Sequence, residues 1–369
     1  MIIALSVSVG ILLIFQFVFI LTRVIYFWKN NQSDLPSDFP FVSVLIAARN
    51  EETQLPQLFE SLEKLDYSDE KIMFLFANDQ STDRTEKLLE DWCGKKSNRK
   101  FITISDSEIR KYHPNGKANA LAILGDYAKG DFLFFTDADC EVNPNWIKAG
   151  VAAFGPKIGL VIGITQVSGR DFFGRFQTLD WLNTLGLVKV ASDLGLRTTG
   201  LGNNMVIEKS AYIKSGGFKN LPDTLTEDLE ISKSIANSGF KISHQISSGM
   251  LTKTKQEDSI KSLLQQRKRW FSGVITLPFF WLILLSLQFF YLPAVLVLVV
   301  HNILFGVGVF LVKTFLQGVF LGEVASRAGM KLKWNYLIGF DFYFFLINAL
   351  TILYYFWPSK IRWKSRDYS

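Results

Sequence analysis

The sequence predicts an α/β fold, a mainly parallel sheet with helices packed on it, held between apolar segments that enter a membrane. Two observations lead there. Short apolar, β-branched runs alternate with helix-like segments from Val42 to Thr136, the pattern of a parallel sheet. Long stretches without Asp, Glu, Lys or Arg flank this charged middle, from Met1 to Thr22 and from Trp270 to Val312.

The apolar stretches set the domain plan. The chain has 369 residues, 49% of them hydrophobic, and a mean hydropathy of +0.19, too apolar for a soluble protein of this length. A helix spans a bilayer with about 20 apolar residues. The first stretch fits one span and the second is long enough for two. A third runs from Trp334 to Ser359, interrupted only by Asp341. The expected plan is an N-terminal transmembrane helix over 1–28, an α/β domain over 29–270, transmembrane or interfacial helices over 271–359 and a basic tail over 360–369. The middle part, about 240 residues, can bury a full core as one domain. Met1–Phe27 reads as a signal anchor, because its apolar run is long and no small-residue cleavage site follows it.

Two cysteines, Cys93 and Cys140, provide no disulfide framework and fit a reducing compartment. The net charge of +6 is modest. Its clusters, Arg267-Lys268-Arg269 and Lys360, Arg362, Lys364 and Arg366, lie beside apolar stretches. Positive-inside anchoring explains them better than nucleic-acid binding. The one linker is Asn30–Pro40, polar with two prolines.

Within the domain, Val42–Ala48 reads as a buried strand. A helix over 54–64, a strand over 72–77, a helix over 84–92, a strand over 101–104, a helix over 117–127 and a strand over 132–136 follow. Beyond Gly155 the pattern loosens. Leu160–Val167 reads as one strand and Phe172–Val190 as a helix. Gly200–Ile207 reads as a loop entering a strand. Glu227–Asn237 reads as a helix with acid at its N-terminus, as the helix dipole favours. Parallel sheets bind ligands beyond the carboxyl ends of their strands. Arg49-Asn50-Glu51, Asp79 and Asp137-Ala138-Asp139 all stand there.

These segments carry the chemistry. Asp137 and Asp139, two residues apart in an extended segment, would point the same way. Their hard oxygens suit Mg2+ or Mn2+ bridging a diphosphate. Alone, such a pair is more often a polar turn; its company decides. Asp79 is placed to accept hydrogen bonds from a nucleobase or ribose, and Asp83 to cap the helix from Arg84. Lys117, in Asn115-Gly116-Lys117-Ala118-Asn119, is either a cation for phosphate or a solvated lysine early in a helix. It is not part of a P-loop, whose Gly-x-x-x-x-Gly-Lys spacing is absent. Asp228 is the candidate general base, its bland alternative being a helix N-terminal acid with Thr226 as cap. Glu227 is the next carboxylate to test. Gln266, Arg269 and Trp270 lie on a segment entering the membrane, where Arg and Trp are also ordinary interface anchors. The functional alternative is an indole stacked on the acceptor and a guanidinium on the diphosphate.

As a set, in this order, these segments resemble the membrane-embedded branch of family 2 glycosyltransferases. The matching residues are Ser43–Glu52 (SVLIAARNEE), Asn78–Thr85 (NDQSTDRT), Gly116–Leu121 (GKANAL), Thr136–Cys140 (TDADC), Gly202–Val206 (GNNMV), Thr226–Glu230 (TEDLE) and Gln266–Trp270 (QRKRW). The resemblance covers about residues 42–270. It implies a GT-A, Rossmann-like fold, a nucleotide-diphosphate sugar donor, expected to be a UDP-sugar, a divalent metal and inversion at the anomeric carbon. It places Ala48, Glu51 and Asp79 at the nucleoside, Lys117 and Asp137 near the nucleotide, Asp139 on the metal and Asp228 as base. Gln266, Arg269 and Trp270 would close the donor and acceptor site. The family often has Pro where this chain has Ala48, which affects loop stiffness more than chemistry.

The Gln-x-x-Arg-Trp signature is shared by polysaccharide synthases and by enzymes that glycosylate ceramide or carotenoid-like lipids. With few apolar segments after the domain, a single transfer to a lipid or lipid-linked acceptor is expected over a processive synthase. A non-catalytic scaffold would need a lost motif, and none is lost. A nucleotidyltransferase would leave Asp228 and the Gln-x-x-Arg-Trp segment unexplained. The expected setting is a bacterial inner membrane, with the N-terminus outside and the catalytic domain and basic tail in the cytosol. That arrangement requires an even number of crossings after Trp270, whereas three apolar segments follow. One is therefore expected to be interfacial or re-entrant, around 315–322.

Overall fold

The structure, a computed structural model, describes residues 1–33, 38–169, 171–196, 198–364 and 366–368. Residues 34–37 of the expected linker lie outside the described residues. The chain begins with α1 (Ile2–Tyr26), β1 (Val42–Ala48), α2 (Leu55–Glu63), β2 (Ile72–Asn78), α3 (Thr85–Cys93), β3 (Arg99–Thr103), α4 (Gly116–Tyr127) and β4 (Phe132–Phe135). There follow β5 (Cys140–Glu141), α5 (Trp146–Ala152), β6 (Ile158–Ile162), β7 (Ile164–Val167), α6 (Phe172–Asp193), β8 (Met205–Glu208), α7 (Lys209–Lys214), α8 (Glu227–Asn237), β9 (Lys241–His244) and β10 (Leu251–Thr254). The last part holds α9 (Ile260–Val274), α10 (Phe279–His301), α11 (Ile303–Arg327), α12 (Leu337–Phe356) and the hairpin β11 (Ile361–Trp363) and β12 (Arg366–Tyr368).

These elements form two compact units. The sheet unit comprises Lys29–Ser168 and Ala191–Lys255. The helical unit comprises Met1–Trp28, Gly169–Val190 and Gln256–Ser369.

The sheet unit is built on a 7-stranded sheet in the order β3-β2-β1-β4-β8-β6-β9. Its pairs are parallel except where β8 runs against β4 and β6. β1 lies near the middle, which explains its uninterrupted apolar run: both faces are covered. Val42, Val44 and Ile46 pack with Leu58, Trp92 and Trp146 on one face. Leu45 packs with Leu121, Leu124, Phe135 and Ile231 on the other. The side-chain period of two thus divides α2, α3 and α5 from α4, α7 and α8, giving three layers.

The single strand expected over 160–167 is two strands in different sheets. β6 joins the large sheet, and β7 joins a 3-stranded sheet in the order β5-β10-β7. The break is at Gly163, where a Cβ would come within 2.4 Å of the Asn204 side chain. Asn204 itself is buried and donates to the Ile164 and Met250 carbonyls at 2.9 and 2.8 Å. Only glycine lets the chain turn past that side chain from one sheet to the next.

In the helical unit, α1, α10, α11 and α12 with the residues just before it are long and apolar enough to cross a membrane. α11 runs unbroken through 315–322, where an interfacial or re-entrant piece was expected. The Gln266–Trp270 segment does not itself lead into a span. Its helix α9 stops at Val274, and α10 starts anew after Pro278.

Candidate active site

β1, β2 and β4 are parallel neighbours, so their C-terminal ends open on one edge. Ala48 pairs with Asn78 and Leu45 with Phe135. Strands lie about 4.8 Å apart, so the segments starting at Arg49, Asp79 and Asp137 leave the sheet within about 10 Å of one another. β8 runs the other way, with Met205 opposite Phe135, so the 200–204 loop arrives at the same edge.

The loops after β1 and β2 are laced together. Arg49 donates to the Asp79 and Gln80 carbonyls at 2.6 and 3.1 Å. The Glu51 amide donates to Thr85 Oγ1 at 2.7 Å, and the Thr82 amide to Asn50 Oδ1 at 2.8 Å. Asn50 and Gln80 take left-handed backbone angles, φ 52 and 54, which pull both loops into tight turns. Ala48, Glu51 and Asp79 are buried within this lacing. The N-cap position of α3 falls on Arg84, which makes no side-chain capping bond; Asp83, one residue earlier, accepts from the Thr85 amide at 2.9 Å and the Glu52 amide at 3.1 Å, and so ties the first turn of α3 to the first loop. Burial pushes the Asp83 carboxyl up, but the hydrogen bonds from Thr85 and Glu52 outweigh it and hold the group below its ordinary range.

Lys117 stands in the first turn of α4, capped by Asn115, whose side chain accepts from the Lys117 amide at 3.0 Å. It is not solvated. Its ammonium lies buried between Asp137, 2.6 Å away, and Glu227, 3.1 Å away. Asn115 donates to the other Glu227 oxygen at 3.3 Å. The starts of α4 and α8 and the end of β4 are therefore joined through one buried cation.

Asp137 and Asp139 do not lie in an extended segment. The Cys140 amide donates to the Asp137 carbonyl at 3.1 Å, closing a turn. Ala138 points into the core and both carboxylates stay half-exposed. Burial first, then the Asp139 and Asp137 charges, push the Cys140 thiol well above its ordinary range. Among the described residues no group of three or more His, Cys, Asp or Glu could hold a metal by itself. Two accessible hard carboxylates do fit an ion that takes one or two protein oxygens and completes its shell with phosphate and water.

Asp228 opens α8 beside this cluster. One oxygen accepts from the Gly202 amide at 3.0 Å and the other from the Leu229 amide at 2.9 Å. Thr226 occupies the cap position, yet its side chain makes no capping bond. The approach of the 200–204 loop needs glycine: a Cβ on Gly200 would fall 2.1 Å from the Asp228 carbonyl. Asp228, Glu227, Lys117 and Asp137 thus form one group. The burial of Glu227 and its bond to Lys117 had no sequence signal beyond its place next to Asp228.

Gln266, Arg269 and Trp270 belong to the helical unit. On α9 they fall at i, i+3 and i+4, on one face. Gln266 donates to Glu257 at 3.0 Å, and Trp270 meets Trp181 edge-on at 5.3 Å. The two residues between them anchor the helix instead. Arg267 pairs with buried Asp180, and Lys268 donates to the Trp357 and Ser359 carbonyls at 3.0 and 2.8 Å. Burial pushes the Asp180 carboxyl up, against the pull of Arg267.

A three-layer sheet with acidic loops at its carboxyl edge, in a chain with long apolar helices at both ends, defines a GT-A glycosyltransferase fold of the membrane type. The chain belongs to glycosyl transferase family 21, whose profile matches residues 9–369. That refines the family 2 resemblance carried by the motifs. A β-monoglucosyldiacylglycerol synthase of Nostoc sp. (strain PCC 7120) is 24% identical over 251 residues, 66% of this chain and 51% of that protein. A probable glycosyltransferase YdaM of Bacillus subtilis is 25% identical over 253 residues, 67% and 57% of the two chains. A 4,4'-diaponeurosporenoate glycosyltransferase of Staphylococcus haemolyticus is 24% identical over 231 residues, 61% and 59%. The chain spans about half the length of these curated relatives. Among solved structures, a mannosyltransferase from Pyrobaculum calidifontis in complex with GDP-Man and Mn2+ superposes with a TM-score of 0.59 at 14% identity. The match covers 95% of this chain and 99% of that one. At that identity the likeness is one of fold.

Proposed function

We propose that this protein is a membrane-bound inverting glycosyltransferase that moves one sugar from a nucleotide-diphosphate donor to a lipid hydroxyl. The donor expected is a UDP-sugar, and Asp228 is the base. The observation that carries this reading is the fixed carboxylate of Asp228, held by the Gly202 amide at 3.0 Å in the same group as Asp137. The two amide bonds orient the carboxylate, which is half-exposed. Asp228 takes the hydroxyl proton as the acceptor oxygen bonds the anomeric carbon and the bond from that carbon to the diphosphate breaks. Ala48, Glu51 and Asp79 bind the nucleoside. Lys117 holds Asp137 in place from beneath. Asp139 and Asp137 would hold a Mg2+ or Mn2+, which when bound neutralises charge on the departing diphosphate. Gln266, Arg269 and Trp270 are assigned to the donor and acceptor by the family resemblance. Residues 29–270 supply the catalytic part, and the cytosol is its compartment, since the donor is made there.

A lipid acceptor is favoured by the names of two relatives, a glucosyldiacylglycerol synthase and a diaponeurosporenoate glycosyltransferase. The test uses the full chain in lipid nanodiscs with Mn2+, a panel of UDP- and GDP-sugars, and diacylglycerol, ceramide or a polyprenol. Products are read by mass spectrometry. A lipid carrying one added hexose is the expected result. A sugar polymer would replace this reading with a processive synthase. The absence of both transfer and donor hydrolysis across the panel would overturn it.

A further inference from the structure

The long apolar helices of the helical unit make two kinds of contact. α1, α10 and α11 pack side by side along their lengths. Gly10 lies against Val309, Phe17 against Phe320, and Arg327 donates to the Val24 carbonyl at 3.0 Å, so α1 and α11 run the same way. Tyr291 donates to the Val309 carbonyl at 3.2 Å and Val299 lies against Gly306, so α10 runs the opposite way. Tyr26, Phe279 and Arg327 therefore share one end of this bundle, the end from which the chain passes on to residue 29. His301 and Asn302 mark the far end.

α12 does not follow that pattern. It starts near the first end, where Trp334 and Leu337 pack on Gly318 and Gly322. It then passes over α11 and α10. Asp341 pairs with Lys313, Phe342 meets Phe310 at 6.1 Å, and Phe345 stacks on Phe289 at 5.1 Å. From Phe342 the helix runs about 20 Å further. On a crossing path that would bring its last turn beside His301. Its last turn instead lies on α9. Gln265 bonds Tyr354, Phe271 meets Tyr355 at 4.8 Å, and Lys268 holds the carbonyls of Trp357 and Ser359. α9 leads into α10 through only residues 275–278, so it sits at the near end. α6 completes the same layer: Arg267 of α9 pairs with its Asp180, Tyr343 of α12 stacks on its Phe176 at 5.0 Å, and Gln317 of α11 donates to its Asn183 at 3.1 Å.

We infer that α12 does not cross the membrane. With α6 and α9 it forms a layer at the near end of a three-helix crossing, seated on the anionic lipid headgroups of that leaflet. Length and composition admit α12 as a span; the contacts of its last turn with α9 do not. Two crossings, α10 and α11, then follow Trp270. The basic residues Lys360, Arg362, Lys364 and Arg366 stay on the side where residue 29 emerges, as the positive-inside rule asks. The layer exposes Leu353, Phe356 and Trp357, and the basic tail follows them directly in the chain, the combination that fits an anionic leaflet. Lys313 and Asp341 neutralise each other where α12 passes over α11, so neither faces lipid as a bare charge.

The inference does not depend on the transfer chemistry. Single cysteines at His301, Lys333 and Lys360 in the full chain are treated with a membrane-impermeant maleimide in intact cells and after permeabilisation. Cys93 and Cys140 are buried and add no background. His301→Cys is expected to react in intact cells, and Lys333→Cys and Lys360→Cys only after permeabilisation. Reaction of Lys360→Cys together with His301→Cys in intact cells would overturn the inference. A Gln265→Cys/Tyr354→Cys pair is expected to be bridged by a short bismaleimide in native membranes. Failure of that bridge, with both cysteines reactive singly, overturns it independently.

Discussion

Lys117 and Glu227 form an ion pair at 3.1 Å, both side chains buried. That pair joins the first turn of α4 to the first turn of the helix that carries Asp228. Glu227 is thereby a buried support beside the half-exposed Asp228, the carboxylate proposed as base. Asp228→Asn is therefore expected to keep donor affinity and lose transfer by at least about a hundredfold, as for removal of a general base. Glu227→Ala is expected to destabilise the fold by about 3 kcal/mol, because it strips a buried cation of one partner. Donor affinity beside turnover, with thermal melting of both variants, checks this. If affinity and turnover fall together in Asp228→Asn, the residue positions the donor instead.

The Asp139 side chain stays half-exposed on the turn at Asp137–Cys140, at a strand end. Asp139→Asn is expected to leave the melting temperature unchanged and to abolish metal-dependent turnover. Activity is measured against Mn2+ concentration for both proteins. Normal turnover of Asp139→Asn in excess chelator would remove the metal from the mechanism.

Arg267 and Arg269 are two residues apart and are expected to fail differently. Arg267→Ala leaves Asp180 buried without its partner and is expected to cost about 3 kcal/mol or more. Arg269→Ala is expected to lose turnover and to melt closer to the parent than Arg267→Ala does. Thermal melting and activity of the two variants in the same detergent separate the roles; equal melting would contradict the assignment of Arg267.

Asp83 predicts a pH dependence. Its folded pKa lies below the ordinary value, so the stability it adds is present above the unfolded value of about 3.9 and is lost as pH falls through the folded value. Asp83→Ala is expected to cost about 1 kcal/mol at pH 7, as for loss of a side-chain acceptor at a helix start. The same deficit should hold at pH 5.5. It should shrink only below about pH 4. Melting of parent and variant across that range checks it, and a deficit that disappears by pH 5.5 would assign the stability to another group.

Local pattern alone placed much of the framework. The β-branched run Val42–Ala48 reads as a buried strand, and the acidic start of 227–237 reads as a helix, because both signals depend on neighbours within a few residues. The alternation of such segments sufficed for the sheet class, and the charge-free stretches for apolar helices at both ends. Tertiary structure decided what depends on distant partners. Gly163 splits one apolar run between two sheets because Asn204 occupies the space a side chain would need. Lys117 is buried because Asp137 and Glu227, far away in the chain, close on it. α12 has the length and hydropathy of a span, but Lys268 and Gln265 of α9 hold its far end, and only packing brings those residues together.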